Sequence, residues 1–266
     1  MDVTIQDLRQ YMVDCRQRGK FEAGHHPWME ATDKRLSPHT LHMHARTIKT
    51  FFNWATRDGY YQDNPAGNMS YPLKPKGRTE TYDDAQLIKI LAEAQKLSFR
   101  DYALVFLMLD SGLRRSEVVG LSIDDVNVFS GLVRVKEGAK FGKYREVHVG
   151  HNCRSVLRQY LNSHREAKPG VDAFFTTRTK DPITYETIGG IMRRLNDRLP
   201  FRVHAHKCRH TFATNLAEQG ENAFQIAYAL GHEDIATARL YVHLGQRKQE
   251  ARQSPMDKKI DGQSGR

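Results

Sequence analysis

Cysteine is scarce in this chain of 266 residues: Cys15, Cys153 and Cys208 are the only three, odd in number and far apart. A disulfide framework is thereby excluded, and a reducing, cytoplasmic setting is the expectation. Long hydrophobic runs are also missing. The longest clean apolar stretch, Tyr102 to Leu109, has eight residues, whereas a helix crossing a bilayer needs about 20. No membrane partner is expected. The N-terminus, MDVTIQDLRQ, has no basic segment followed by an apolar one, so no secretory signal is read there. No internal repeat is found. Acidic residues are outnumbered, and that shortage leads to what the chain does contain.

Forty-one Lys and Arg face 31 Asp and Glu, a net charge of +10. An excess of this size suits a polyanionic partner, most often nucleic acid, although a soluble protein can simply be basic. The excess is uneven. Residues 1 to 70 hold nine Lys and Arg against eight Asp and Glu, which leaves +9 for the remainder. Between Tyr71 and Arg78 stand two prolines, one glycine and three basic residues. Proline disfavours helix just before it, so this stretch reads as an extended linker. The residues after about Gln246 are polar and read as a tail.

The part before the linker reads as helical. Ile5, Leu8, Met12 and Cys15 recur at helical spacing. Ser37 is a good N-cap and Pro38 suits the first helical position. Leu41, Ala45, Ile48, Phe52 and Ala55 then form one apolar stripe, ended by Gly59. On the opposite side stand His39, His42, Arg46, Lys49 and Asn53. A basic, hydrogen-bonding stripe backed by an apolar one suits a helix lying in a DNA groove, and equally a solvated outer face. Beyond the linker the pattern reads helix from a cap at Thr81, buried helix from Phe99 to Leu109, and a break at Ser111 and Gly112. A hairpin of Leu132–Lys136 and Tyr144–Val149 follows, then helices near 152–166, 184–198, 206–219 and 222–230, and a short one from Ile235 to Val242.

Four constellations could carry chemistry. In Ser111-Gly-Leu-Arg-Arg-Ser-Glu117, the glycine ends a buried helix and places Arg114 at the rim of the core. A fixed guanidinium there is a bidentate phosphate clamp; a surface arginine paired with Glu117 is the bland reading. The hairpin turn from Lys136 to Arg145 carries four basic residues, able to enter a groove or deliver a proton. In His204-Ala-His-Lys-Cys-Arg-His210, the His and Cys could ligate a metal. Alternatively His206 and Arg209 share a helical face as acid–base group and cation, with His210 packed inward beside Phe212. In Leu230-Gly-His-Glu-Asp-Ile-Ala-Thr-Ala-Arg-Leu-Tyr241, a glycine ends one helix, His232 sits in the turn and Tyr241 follows nine positions later. A lone helical Tyr is usually a packing residue.

Taken in order, these positions resemble the tyrosine recombinases, the phage-integrase family that includes the Xer type. SGLRRSE looks like the first arginine box, Lys140 like the hairpin lysine, HKCRHTFAT like the HxxRH box, LGH like the next histidine and ATARLYVH like the nucleophile segment. The later SPMD looks like a feature of mobile-element integrases. The likeness spans roughly residues 35 to 257. It implies a mainly α (α+β) fold: a small helical core-binding (SAM-like) domain over 1–72, a mostly helical catalytic domain with a small antiparallel sheet over 78–250, and a polar tail over 251–266.

The resemblance implies site-specific recombination of double-stranded DNA by transesterification. Tyr241 attacks phosphorus, Arg114 and Arg209 clamp its oxygens, and His206 is base or orienter. Lys140 protonates the leaving oxygen, and His232 bonds a phosphate oxygen. Neither a metal nor another cofactor is implied. His39, His42, Arg46, Lys49, Lys143 and Arg145 are the expected DNA contacts, and a homotetramer on two DNA sites is the expected assembly. Strand relaxation of the type IB topoisomerase kind and non-catalytic DNA binding are the alternatives. Some features depart from the family pattern. Cys208 replaces a bulkier apolar residue. The hairpin reads AKFGK rather than GKGxK, leaving Lys140 and Lys143 both open as the hairpin lysine. Two or three helices fit before residue 70 where the family usually has four, so the front domain is expected to be short or its start codon internal.

Overall fold

The computed structural model describes residues 3–17, 19–21, 32–73, 80–136, 144–231 and 238–242. The chain divides into two units, Met1–Arg78 and Thr79–Arg266. The first contains helix α1 (Ile5–Gln17), strands β1 (Gly19–Phe21) and β2 (Thr32–Arg35), and helix α2 (Pro38–Arg57). Ser37 is extended and its hydroxyl accepts from the Thr40 amide at 3.1 Å, with Pro38 opening the helix. This satisfies one of the amides that a helix start leaves unpaired. The apolar stripes of the two helices meet in a small core of Leu8, Met12, Cys15, Leu41, Ala45 and Phe52, closed by Ala66 and Met69. The all-helical expectation for this part is corrected by the antiparallel pairing of β1 with β2. Its backbone partners are too far apart in sequence for helical periodicity to reveal.

The second unit opens at α3 (Asp84–Leu97). Its cap is Asp83 rather than Thr81, because Asp83 and Gln86 form a reciprocal capping box. Helix α4 (Phe99–Ser111) is buried along most of its length, with Ala103, Leu104, Val105, Leu107 and Met108 all at 0% exposure. Gly112 ends it with φ of +63°, and a Cβ there would overlap the Phe212 ring. Glycine is thus required both by the left-handed turn and by the close approach. The short α5 (Arg115–Val119) follows, then a three-stranded antiparallel sheet of β3 (Val126–Asn127), β4 (Leu132–Lys136) and β5 (Tyr144–His148), in that order. Val133 pairs with Val147 and Val135 with Arg145.

Helices α6 (His151–Gln159), α7 (Tyr185–Asn196), α8 (Ala205–Glu218) and α9 (Ala223–Leu230) complete the labelled elements, and residues 238–242 are helical. Side chains from α3 to α9 share one core with Val133, Val135, Val147, Ala238 and Tyr241. The architecture is mainly helical with one small antiparallel sheet in this unit. Among the described residues no helix is long and apolar enough to cross a membrane.

Candidate active site

Three arginines meet at the C-terminal end of α9. Arg145 Nε donates to the Ala229 carbonyl at 3.0 Å, Arg209 Nη2 donates to that of Leu230, and Arg114 Nη2 donates to that of Gly231 at 3.2 Å. A helix end leaves its last carbonyls without intrahelical partners and carries partial negative charge, so guanidiniums suit it. Gly231 adopts φ of +62°, and a Cβ there would come 2.7 Å from Arg145 Nη1. The glycine of LGH is therefore needed for the turn and for room beside Arg145.

Glu117 joins the same three arginines. Its oxygens accept from Arg145 Nη1 at 3.0 Å and Nη2 at 2.8 Å, from Arg114 Nη1 at 2.9 Å and from the Arg114 amide at 2.7 Å. Arg209 Nη1 stands 3.9 Å from it and donates to the Gly112 carbonyl at 2.8 Å. Burial works to raise the Glu117 pKa, but the hydrogen bonds and charge of Arg145 and Arg114 outweigh it and hold the carboxyl below its ordinary range. Arg209 is pulled down to about 10, first by burial and then by Arg114. Three guanidinium charges thus face one carboxylate among these four residues. Two positive charges remain, which an anion would offset.

The place for that anion is a pocket of about 380 Å³ lined by Leu113, Arg114, Arg115, Ser116, Tyr185, His204, Ala205, His206 and Arg209. The Arg115 guanidinium lies over the Tyr185 ring, 3.6 Å from its centre, and builds one wall. His206 is exposed, and its ring stands 5.7 Å, edge to face, from that of His210. His210 Nδ1 is hydrogen-bonded to the Tyr241 hydroxyl at 2.6 Å. Burial, then the charges of His206 and Arg209, push the His210 pKa down, while burial pushes that of Tyr241 up against the opposing pull of Arg209. A larger hollow of about 680 Å³, lined by Arg100, Asp101, Tyr160, His164 and Arg194 among others, shares no residue with this pocket. There Asp101 is paired with Arg100 at 2.7 Å and Arg194 at 2.8 Å.

The structure brings Arg114, His206, Arg209 and Tyr241 into one neighbourhood. Lys140, Lys143 and His232 lie outside the described residues. Arg145 requires a correction. Expected as a DNA contact, it is 1% exposed, because the β5 register turns it to the same inner face as Val147 and Val149. The period-2 pattern of Tyr144 to Val149 carried that signal. His210 was expected to pack inward; it also bonds Tyr241. That contact joins positions 31 apart, and no local pattern announces it. The alternative metal reading of the HAHKCRH cluster meets a dispersed set. His204 caps α8 by accepting from the Lys207 amide at 3.2 Å, and Cys208 is 0% exposed in the core with its thiol pushed up to about 12 by burial. Among the described residues, no group of three His, Cys, Asp or Glu could hold a metal ion.

In the first unit, three members of the stripe are occupied, Asn53 by accepting from Asn64 Nδ2 at 2.6 Å. His42 Nδ1 bonds the Pro72 carbonyl at 3.0 Å, and Lys49 Nζ donates to the carbonyls of Gly67 at 3.2 Å and Met69 at 2.9 Å, above the Tyr71 ring. The segment after α2 folds back along this side of the helix and takes up their polar groups. His39 and Arg46 are exposed.

A cationic pocket beside a hydrogen-bonded tyrosine, on a mainly helical fold with a small sheet, suits an anionic group such as a phosphate. Residues 80–248 match the phage integrase family, and the chain belongs to it. It is 33% identical over 201 residues to the tyrosine recombinase XerC of Azotobacter vinelandii, covering 74% of this chain and 67% of that one. It is 35% identical over 214 residues to the tyrosine recombinase XerD of Ralstonia nicotianae, covering 76% and 68%. The Tn1549 transposon integrase, solved in complex with transposon right end DNA, shares the fold at a TM-score of 0.73 and 21% identity, over 94% of this chain and 85% of that one.

Proposed function

We infer that this protein is a site-specific DNA recombinase that cuts and rejoins DNA through a 3′-phosphotyrosyl intermediate. The observation that carries this reading is the pocket walled by Arg114, His206 and Arg209, whose His206 ring adjoins the His210 that holds the Tyr241 hydroxyl. The similarity to XerC and XerD supports recombination as the outcome of the chemistry.

The barrier to attack on a phosphodiester is electrostatic. The ester is an anion, and the pentacoordinate transition state holds more negative charge on its oxygens. Arg114 and Arg209, fixed by Glu117 and by backbone carbonyls, offer donors in a set geometry before substrate arrives. Such preorganised donors are worth about 3–4 kcal/mol each. They supply charge that a metal ion would otherwise bring. The phenol must also lose a proton. In the structure His210, not His206, touches the hydroxyl. A neutral imidazole there can accept that proton as the oxygen attacks phosphorus. His206, on the pocket wall, is placed to bond a phosphate oxygen. The new tyrosyl ester keeps the energy of the broken bond, and a 5′-hydroxyl leaves; its proton is assigned to the hairpin lysine, Lys140 or Lys143, and a further phosphate contact to His232. A 5′-hydroxyl from a partner strand then reverses the step, so no ATP is consumed.

The finer assignments follow from this reading. The first unit is a core-binding DNA module, four protomers act on two DNA sites, and the work is done in the cytoplasm where the DNA is. Covalent capture tests the whole. Cells expressing the protein or Tyr241→Phe are lysed in SDS, and protein-linked DNA is recovered and sequenced. A site-specific adduct from the unaltered protein alone is expected. Two duplexes carrying the recovered site should then exchange strands. Adducts from neither protein, despite salt-sensitive DNA binding, would leave only a non-catalytic binder; relaxation without exchange would favour the topoisomerase alternative.

A further inference from the structure

We propose that Arg145 is a positioning residue for the phosphate clamp, acting through Glu117 and the C-terminus of α9 without touching DNA. The proposal rests on the recombinase reading above. Arg145 is 1% exposed, and each nitrogen of its guanidinium makes a hydrogen bond: Nη1 and Nη2 to the two oxygens of Glu117, Nε to the Ala229 carbonyl. Those are the groups that also set the two clamp arginines. Glu117 bonds the Arg114 side chain and amide, and the next two carbonyls, of Leu230 ending α9 and of Gly231 after it, hold Arg209 and Arg114. A bidentate arginine fixes the plane of a carboxylate in a way that a point charge does not.

The arrangement explains why a third arginine stands beside a clamp of two. Glu117 is an anion within reach of both phosphate-binding guanidiniums, and unrestrained it would compete with the phosphate for them. Arg145 engages both Glu117 oxygens, Nη1 on Oε1 and Nη2 on Oε2, and so limits the pull of the carboxylate on Arg114 and Arg209. Without Arg145, Glu117 would close on Arg209, already 3.9 Å away, and draw it from the substrate. The carboxylate that orients the clamp would then oppose it.

The test uses the full chain and a nicked duplex bearing the site recovered by covalent capture, so wild-type adduct formation verifies the recombinase reading independently. Rates are measured on the ordinary phosphodiester and on a neutral methylphosphonate at the same position. The neutral linkage has less negative charge to offset and depends less on the clamp. Arg145→Lys, which keeps the buried charge but not the fork, is expected to lower the phosphodiester rate at least tenfold and the methylphosphonate rate by less than threefold. Arg145→Met is expected to lower the phosphodiester rate by about 10²-fold, the effect of losing one donor. Adding Glu117→Gln to Arg145→Met should restore part of that loss, because the competing anion is gone. An equal loss on both substrates for Arg145→Lys would overturn the proposal, since loss of folded protein lowers both alike. A phosphodiester rate within twofold of wild type for Arg145→Lys would overturn it too. So would a double variant no faster than Arg145→Met when both melt as folded proteins.

Discussion

The Tyr241 hydroxyl is hydrogen-bonded to Nδ1 of His210 at 2.6 Å, and Tyr241 is 2% exposed. Tyr241, the nucleophile of the proposed reaction, is thus packed in the core and tied to an imidazole rather than standing free over the pocket. Its first consequence concerns which histidine assists it. His210→Ala is expected to slow adduct formation by about 10²-fold, the low end of what a positioned base contributes, and to remove the acidic limb of the pH–rate profile. His206→Ala should slow the reaction while leaving that limb in place. Single-turnover adduct formation across pH checks both. If the limb instead vanished with His206→Ala, the base would be His206.

The same burial makes folding sensitive to acid. His210 is held below the ordinary imidazole value of 6.5, first by burial and then by the charges of His206 and Arg209. The unfolded chain therefore takes up the proton before the folded one does. Stability is unaffected above about pH 6.5 and falls as pH drops below it, until the folded state is protonated as well. His210→Asn retains an acceptor for the hydroxyl but does not titrate. Its melting temperature should fall less between pH 7 and pH 5 than that of the unaltered protein. His204, also pushed down by burial first, contributes in the same direction, so the dependence should shrink without disappearing.

Much of this was written in local pattern. Ser37 and Pro38 marked the start of α2, the apolar sweep of α4 marked a buried helix, and the order of Arg114, Arg209 and Tyr241 marked the family. What was hidden lay in pairings across the chain. The two strands of the first unit are separated by ten residues in sequence, and β3 has only two residues, too few to show alternation. Asp83 outcompetes Thr81 because the box with Gln86 pairs two groups, not one. Arg145 carries two opposing signals. Its alternation with Val147 and Val149 placed it inward, but its charge suggested the surface, and only the presence of Glu117 makes such burial tolerable.

Two glycines separate backbone strain from crowding. Gly231 and Gly220 both have positive φ, +62° and +95°. Alanine in a left-handed turn costs roughly 1–2 kcal/mol. At Gly220 nothing lies within 4 Å of the added Cβ, whereas at Gly231 it meets Arg145 Nη1 at 2.7 Å. Gly220→Ala should lower stability by that backbone cost and leave adduct formation close to wild type. Gly231→Ala should lower stability further and slow adduct formation at least tenfold, since moving Arg145 disturbs Glu117. Urea unfolding and adduct assays on both variants check this. Equal behaviour would mean that the Arg145 contact contributes nothing.

The basic stripe of α2 divides into two kinds of cation, and salt dependence can tell them apart. Each cation that neutralises a phosphate releases counterions and adds about one to the slope of log affinity against log salt. Arg46 is exposed, whereas Lys49 is engaged by the carbonyls of Gly67 and Met69 and by the Tyr71 ring. Arg46→Ala should therefore weaken DNA binding and reduce the slope by about one, with little change in melting temperature. Lys49→Ala should do the reverse. It removes the donor that pins the segment after α2, so stability falls by about 1 kcal/mol as the exposed Gly67 carbonyl and the part-buried Met69 carbonyl lose a charged partner. The slope should hold, because the ammonium is turned toward its own chain and not toward phosphate. Binding isotherms at several salt concentrations, with thermal melts of the same preparations, give both quantities. A loss of slope for Lys49→Ala with unchanged stability would show that its ammonium leaves those carbonyls for the phosphate backbone when DNA arrives.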